Sequence, residues 1–252
     1  MYLKKVAGFV VGLLIITSVS ATPQSNPLSK AECVAREAIN RDRVVNFDVR
    51  CLSFSGKEKI LPIKVIDVVK NDVEEIFQKL FEKKFPIYAL SCYSPRTIRG
   101  SNERVSLHAY AAAIDLNYLM NPHYDVITGN MIPTRKANRE EDKRTIVKEL
   151  KSINTPNEEI ESILDVVIEN QPEDSDDRFL NRGIIRKGMV TPEIVNIFKI
   201  HGFNIWGGNW RRPMDYMHFQ IPLLLAKKLA DDEKDFDSRK KIWEEHKEKI
   251  KE

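Results

Sequence analysis

The chain has 252 residues, a length that fits one domain or two. Apolar residues make up 42% and charged residues 31%, which is typical of a globular protein and excludes a disordered, collagen-like or multi-span membrane chain. Lys and Arg exceed Asp and Glu by only 40 − 37 = 3, so the composition argues against a nucleic-acid partner. Only 10 glycines occur and neither common Gly-rich phosphate-binding motif is present, which argues against a nucleotide-binding enzyme.

Residues 1–21 predict a signal peptide for export. Lys4 and Lys5 form a short basic region, eleven apolar residues follow, and Val19-Ser20-Ala21 offers the small residues of a cleavage site. The apolar core is shorter than the about 20 residues that a membrane span needs, although an uncleaved anchor stays open as the alternative. We therefore expect a protein of the periplasm or the extracellular space, with no stable membrane span after cleavage. Residues 22–42 begin with a polar, proline-containing stretch and predict a leader segment.

The three cysteines allow at most one disulfide within the chain. An exported protein can form disulfides, and Cys33 and Cys51 are close enough in sequence to pair, which would leave Cys92 over. No C-x-x-C motif occurs, so the sequence does not support a redox motif or a cysteine-based zinc site. Cys92 is interpreted as a small buried hydrophobic residue.

Residues 43–230 are predicted to form the main domain. Alternating apolar residues indicate strands in its first part, and apolar residues spaced three and four apart indicate a helix. The predicted elements of this part are a strand at 44–54, a turn at Gly56-Lys57, a strand at 60–65, a helix at 67–84 that Pro86 ends, and a short strand at 87–90.

Residues 137–178 differ in character and predict a helical insertion within this domain. Two charged amphipathic helices at 140–150 and 156–169 precede an acidic run at 173–177. The stretch is too small for a core of its own, and by its place in the chain it could wall the substrate cleft. Beyond it, Thr191-Pro192 predicts the start of another helix. The mixed charges of 231–252 predict a C-terminal tail, either a solvated helix or a frayed end.

Two clusters of polar residues carry the chemistry. The first holds His108 and Asp115, and the second holds Asp215 and His218. Two histidines and one carboxylate can bind zinc and leave the fourth position open. A second carboxylate, three residues before the last histidine, could serve as a general base.

Geometry sets a condition on the first cluster. The seven residues from His108 to Asp115 span about 10 Å on a helix and about 23 Å on a strand, whereas ligand atoms each lie about 2 Å from one zinc ion. The chain must therefore bend between them, or cross from a loop into a strand, if both bind the same metal. The alternative is an Ala-rich helix over 107–120 with His108 near its cap.

These residues resemble the family of zinc D-alanyl-D-alanine carboxypeptidases, which includes L-alanyl-D-glutamate endopeptidases. The resemblance covers roughly residues 44–222. It rests on a Phe85-Pro86-Ile87 marker, an Arg-containing segment and two separated motifs. The matching motif residues are Arg96, Thr97, Ile98 and Gly100 in the Arg-containing segment, Ser106, His108, Ala113 and Asp115 in the first motif, and Trp206, Gly207, Gly208, Trp210, Asp215, Met217, His218 and Phe219 in the second.

The resemblance implies an α+β fold, with a small antiparallel sheet flanked by helices and carrying one zinc site. It implies that His108, Asp115 and His218 bind one Zn²⁺, and that Asp215 is the general base on the metal-activated water. Arg96 would polarise the scissile carbonyl and hold the oxyanion.

Four further residues are candidates for substrate contact: Ser106, Tyr110, Trp206 and Trp210. For Ser106 and Tyr110 a supporting role behind the ligands is the alternative, with a turn hydrogen bond favoured for Ser106. For the two tryptophans the alternative is core packing. The remaining histidines, His123, His201 and His246, are interpreted as surface or capping residues.

Export and the resemblance together imply a peptidase that acts on peptidoglycan stem peptides or cross-links, as a carboxypeptidase or an endopeptidase. Two departures from the family pattern favour a rival, an exported binding module of the same fold that has lost catalysis. The usual Gly of the first motif is Ala111, which would be strained if the position needs a positive φ. The usual acid after the Gly-Gly of the second motif is Asn209. Apart from these two departures, the base is Asp rather than Glu, which resembles the endopeptidase branch of the family more than the dipeptidase branch.

Overall fold

The computed structural model describes residues 29–121, 123–125, 130–132, 139–169, 187–211 and 213–252. The predicted signal peptide and the acidic run at 173–177 lie outside the described residues. Within these ranges the helices are α1 Lys30–Glu37, α2 Lys70–Glu82, α3 Arg139–Ser152, α4 Asn157–Glu169, α5 Pro192–Ile200, α6 Leu223–Ala230 and α7 Phe236–Lys251. The strands are β1 Val44–Leu52, β2 Glu58–Ile66, β3 Leu90–Ser91, β4 Ala113–Leu116, β5 His123–Asp125, β6 Asn130–Ile132, β7 Ile205–Trp206 and β8 His218–Gln220.

The first predicted elements are confirmed. β1 and β2 pair as an antiparallel hairpin in register from Val44↔Ile66 to Leu52↔Glu58, and Gly56 turns the chain with a φ of 84°. The predicted helix at 67–84 is a 3₁₀ turn, Asp67–Val69, followed by α2. The apolar stripe of α2 is buried in the main core, because its spacing of three and four residues places it on the face that meets the hairpin.

The second part of the domain is a four-stranded antiparallel sheet in the order β3-β4-β8-β7. Ile114 of β4 lies opposite Phe219 of β8, and both are 0% exposed. Phe219 stacks on Phe198 of α5 with ring centroids 3.8 Å apart. One face of the sheet is thus buried under helices, which confirms the α+β architecture with small antiparallel sheets. Side chains alternate along a strand, so the neighbouring positions lie on the opposite face.

The two helices of the predicted insertion pack against each other and against the main body. Their buried apolar residues form a second cluster with Phe54, Tyr88, Leu119 and Met120: Ile146, Leu150, Ile160, Ile163 and Leu164. Glu159 is 2% exposed, and it accepts hydrogen bonds from the Phe54 N–H and from Lys59 Nζ. The insertion therefore has no separate core within the residues described.

The described part of the predicted leader, from residue 29, and the predicted C-terminal tail both contain a helix that packs on the core. Within the predicted leader, α1 forms behind a Ser29–Glu32 capping box, and it buries Cys33 in the main core. In the predicted tail 231–252, the helical alternative is present as α7. The helix is not solvated on all sides, because Trp243 is 0% exposed and its Nε1 donates to Asp72 at 2.6 Å. His201 is buried beside the same carboxylate rather than on the surface.

All three cysteines are free and buried, so the possible Cys33–Cys51 disulfide is not formed. The buried position of Cys92 agrees with its interpretation as a small hydrophobic residue. Of the helices in the described ranges, none combines the length and the apolar character that crossing a membrane requires.

Candidate active site

The sheet places two predicted ligands side by side. Asp115 of β4 and His218 of β8 are direct cross-strand partners, and such partners have Cβ atoms about 5 Å apart. They lie on the face opposite the buried Ile114. His218 Nδ1 is 2.8 Å from Asp115 Oδ1.

The third predicted ligand reaches the same place because the chain reverses. His108 lies on a 3₁₀ turn, Leu107–Tyr110, which Ser106 caps by accepting from the His108 N–H. Ala111 then adopts the left-handed conformation, with φ 52° and ψ 32°, and its N–H donates to the His108 carbonyl. The chain enters β4 two residues later. The bend required for a shared metal is thus present, and the alternative of a continuous helix over 107–120 is wrong.

The three side chains form a group that fits a divalent metal. One ligand atom from each of His108, Asp115 and His218 lies within 4.8 Å of the others. His108 Nδ1 is 2.5 Å from the carbonyl oxygen of Cys92, and a carbonyl only accepts, so Nδ1 carries the proton. His108 Nε2, which is buried and makes no hydrogen bond, therefore offers a lone pair 3.1 Å from Asp115 Oδ2. A buried imidazole nitrogen with a free lone pair, beside a carboxylate and with the other ring nitrogen held by a hydrogen bond, is arranged as in a metal ligand.

Gln220 orients the second histidine in the same way. It lies two residues beyond His218 on β8, hence on the same face, and its Oε1 accepts from His218 Nε2 at 2.8 Å. The proton on Nε2 leaves Nδ1 as the atom that faces Asp115. Each histidine thus holds its proton away from the cluster.

Electrostatics separates the two carboxylates. Burial acts to raise the pKa of Asp115, but the imidazoles of His108 and His218, when they carry a proton towards it, outweigh burial and hold that pKa well below the usual range. Burial, followed by the charge of Asp115, raises the pKa of Asp215 to about 7, against the opposing effects of His218, the Met217 backbone and Arg96. A carboxyl that titrates near neutral pH is suited to general base work.

Two glycines let the loop before β8 close on itself. The Asp215 N–H donates to the Gly207 carbonyl at 3.0 Å, and a Cβ on Gly207 would lie 2.4 Å from the Asp215 carbonyl oxygen. A Cβ on Gly208 would lie 2.3 Å from the Trp206 ring, whose Nε1 donates to the Tyr216 carbonyl. The two glycines of the W-G-G motif therefore let the backbone pack closely against Asp215 and the Trp206 ring.

A cavity of about 850 Å³ opens over this group. Seven of the predicted site residues line it: Arg96, Ser106, His108, Asp115, Trp210, Asp215 and His218. Arg96 is exposed at its edge, and the Trp210 ring lies 5.4 Å from the His218 ring. Tyr110 is 2% exposed within the core, and Trp206 is half-buried against that core; neither is among the lining residues described. The roles of all nine stay predictions.

Three features of the site were missed by sequence reasoning. His123 lines the cavity and pairs with Asp215 through an isolated antiparallel bridge, which no local pattern indicates. The Cys92 carbonyl is a backbone group and has no sequence signal. Gln220 had one: on a strand it must share the face of His218, two residues away.

The comparisons with known proteins agree with this geometry. Residues 99–221 match a protein family described as D-alanyl-D-alanine carboxypeptidase. The matched range contains the three predicted ligands and Asp215, whereas Arg96 precedes it. No curated protein and no solved structure gives a match to the chain. Residues 99–221 of this chain are thus similar to the D-alanyl-D-alanine carboxypeptidase family, and this match confirms the resemblance of the two motifs.

Proposed function

We propose that this chain is an exported zinc peptidase that hydrolyses peptide bonds in peptidoglycan stem peptides or cross-links. The family match supports a D-alanyl-D-alanine carboxypeptidase-like peptidase. The observation that carries the finer proposal is the grouping of His108, Asp115 and His218 beside the buried Asp215 in one cavity. The sequence of the first 21 residues supports export.

In the part of the chain that the structure describes, one group of side chains could hold a metal, made by His108 Nε2, Asp115 and His218 Nδ1. This set of two imidazoles and one carboxylate matches the ligands of catalytic zinc sites, which keep a further position open. Bound there, zinc would act as a Lewis acid and lower the pKa of water towards about 7. The Cys92 carbonyl and Gln220 would keep both rings in the required tautomer.

Asp215 is the residue that moves protons in this proposal. Its Oδ1 is buried and has no hydrogen-bond partner within the described residues, so it is available to accept a proton from the attacking water. Once protonated, the same carboxyl can pass that proton on to the departing amine. Base and acid catalysis of this kind contributes about 10²–10⁴-fold.

Arg96 and Trp210 would orient the substrate at the edge of the cavity. The Arg96 guanidinium faces the same cavity as Asp215 and acts on its pKa, a position from which it can stabilise negative charge on the carbonyl oxygen. Trp210 offers an aromatic wall beside His218. Its position supports the predicted substrate contact rather than core packing.

The rival, a binding module without catalysis, loses the observations that motivated it. Ala111 does adopt the positive φ at which glycine is usual, but Asp115 and His108 still meet. Asn209 is exposed and is absent from the lining residues described, so it lies away from the cluster. Both departures therefore leave the ligand set and Asp215 in place.

The test is hydrolysis of whole peptidoglycan by the mature chain, with zinc and after chelation, read by the mass of the released fragments. We expect a zinc-dependent product whose mass identifies the bond. Asp215→Asn should lower the rate by about 10²–10⁴-fold and still bind zinc, while Asp48→Asn, an exposed carboxylate on β1, should remain active. A folded, zinc-bearing protein that binds peptidoglycan but releases no product would refute the peptidase and favour the binding module.

A further inference from the structure

One wall of the cavity is the loop at 96–106, which carries three arginines and is held by backbone hydrogen bonds. The Ser106 N–H donates to the Arg96 carbonyl at 3.0 Å, and the Ile98 N–H donates to the Arg104 carbonyl at 2.7 Å. Thr97 and Val105 form an antiparallel bridge between these bonds, and Gly100 turns the tip with a φ of 83°. Ser101 Oγ accepts from the Arg104 N–H at 3.0 Å. The loop from 96 to 106 is therefore a fixed hairpin.

The charged residues of this wall that line the cavity are all cations, since the exposed Glu103 of the hairpin is not among the lining residues described. Arg99 and Arg104 of the hairpin and Lys30 of α1 all line the cavity, together with Arg96. We call Lys30, Arg99 and Arg104 the cationic wall. The only carboxylates among the described lining residues are Asp115 and Asp215, which belong to the metal cluster and the base. No described carboxylate lies within ion-pair distance of Lys30 or Arg104.

The backbone that carries the cationic wall is anchored on both sides. α1 is joined to the ligand-bearing turn, because the Ile39 N–H donates to the Ala109 carbonyl at 3.1 Å, and Cys33 is buried in the main core. The hairpin joins the same turn through Ser106, the residue that caps it. The backbone that carries these cations is thus held beside the metal cluster, while their exposed side chains can adjust to a ligand.

We propose that the cationic wall binds a carboxylate of the peptide substrate that is distinct from the reacting carbonyl, an inference that rests on the proposed function. The wall would then discriminate between stem peptides in which an acidic residue is free and those in which it is amidated. Guanidinium groups suit this task, because they donate two parallel hydrogen bonds to one carboxylate. Arg96 is left for the oxyanion.

Exposure limits what each cation contributes. A single exposed ion pair is weak, but several cations of one sign in a concave surface focus the field on a ligand. Hydrogen bonds that involve a charged group are stronger than neutral ones, so replacing a carboxylate by an amide should weaken binding by about tenfold. The amide keeps the same shape but is neutral, and its NH2 group donates hydrogen bonds where the carboxylate oxygen accepted them.

The experiment compares two synthetic stem peptides that are identical except that one glutamate carboxylate is free in the first and amidated in the second. Binding is measured calorimetrically on the zinc-loaded mature chain carrying Asp215→Asn, so that turnover does not interfere. The same measurement is made after adding Lys30→Gln and Arg104→Gln, and, as a matched control, after adding Lys228→Gln, an exposed lysine on α6 outside the cavity lining.

We expect the acidic peptide to bind about tenfold more tightly than the amide, and this preference to fall below about twofold in the Lys30/Arg104 variant but not in the Lys228 variant. Raising the salt to about 0.5 M should weaken only the acidic peptide, a measurement that needs no variant. Equal binding of the two peptides, no binding of either, or a preference that survives the double substitution would overturn the inference.

Hydrolysis by the wild-type chain is followed separately. A preference for the acid without any product would leave the cationic wall standing and refute the peptidase.

Discussion

Gly207→Ala tests whether the W-G-G motif positions the general base. Gly207 is buried, and its carbonyl accepts from the Asp215 N–H at 3.0 Å. The methyl group of an alanine would lie 2.4 Å from the Asp215 carbonyl oxygen and 2.9 Å from the Asp215 Cβ. Both atoms belong to the backbone or Cβ of Asp215, so a change of side-chain rotamer cannot remove the clash.

The size of the displacement follows from these distances. Ordinary contact between such atoms begins at about 3.4 Å, so the 2.4 Å approach must open by about 1 Å. A shift of that size in a reacting group costs about 10²-fold in rate, and overpacking of a buried site costs about 1–3 kcal/mol of stability. We therefore expect kcat/KM to fall about 10²-fold while His108 and Asp115, which lie on other segments, still bind zinc.

The assay measures kcat/KM for release of the peptide product, zinc affinity by competition with a chromogenic chelator, and stability by urea unfolding. Gly56→Ala is the matched control: it makes the same change at a hairpin turn with a φ of 84° and nothing within 4 Å of the added methyl. It should lose stability through backbone strain but keep its activity once folded. A Gly207→Ala protein that is folded and fully active would refute the reasoning.

Three further changes test other parts of the structure. Ala111→Gly should relieve the strain of a left-handed alanine, which costs the fold about 1–2 kcal/mol. The change also removes a buried methyl group that stabilises the fold by about 0.8 kcal/mol. The free energy of unfolding in urea should therefore change little. Ala113→Gly, at an extended backbone position, should lower the free energy of unfolding by about 1–2 kcal/mol. Equal losses of stability for Ala111→Gly and Ala113→Gly would show that Ala111 is not strained. Gln220→Ala should weaken zinc binding about 10–100-fold in chelator competition, with exposed Gln78→Ala as control; an unchanged affinity would remove its orienting role. Trp243→Ala should cost about 3–5 kcal/mol in urea unfolding, and a loss below about 1 kcal/mol would restore the solvated tail.

The sequence made the ligand-bearing bend a condition for a shared metal and left a continuous helix open as the alternative. The reach of seven residues exceeds the size of a metal site, so the chain had to turn if His108 and Asp115 bind one ion, and it does turn at Ala111. The pairing of Asp115 with His218 joins residues 103 positions apart, and no local period encodes such a register. The resemblance supplied it instead.

The C-terminal helix shows why composition misled. Charges on α7 predict a solvated helix when each is counted by itself. In the structure the Arg239 guanidinium meets both oxygens of Asp67 at 2.6 and 2.8 Å, and Lys247 meets Asp72 at 2.8 Å. The compensating carboxylates belong to the region around α2, more than 150 residues earlier. Burial of a charged helix face depends on such distant partners, which a local pattern cannot show.

The two small-residue positions of the site differ in what they require. At position 111 the requirement is conformational, since the chain needs a φ of 52°, and alanine can adopt that φ at a cost of about 1–2 kcal/mol. At position 207 the requirement is contact, since any Cβ collides with the Asp215 backbone, and no change of φ relieves it. A departure from glycine is therefore tolerable at the first position and not at the second. Ala111 accordingly bears on the stability of the fold, whereas Gly207 bears on the placement of the base, and only a change at the latter would argue for lost catalysis.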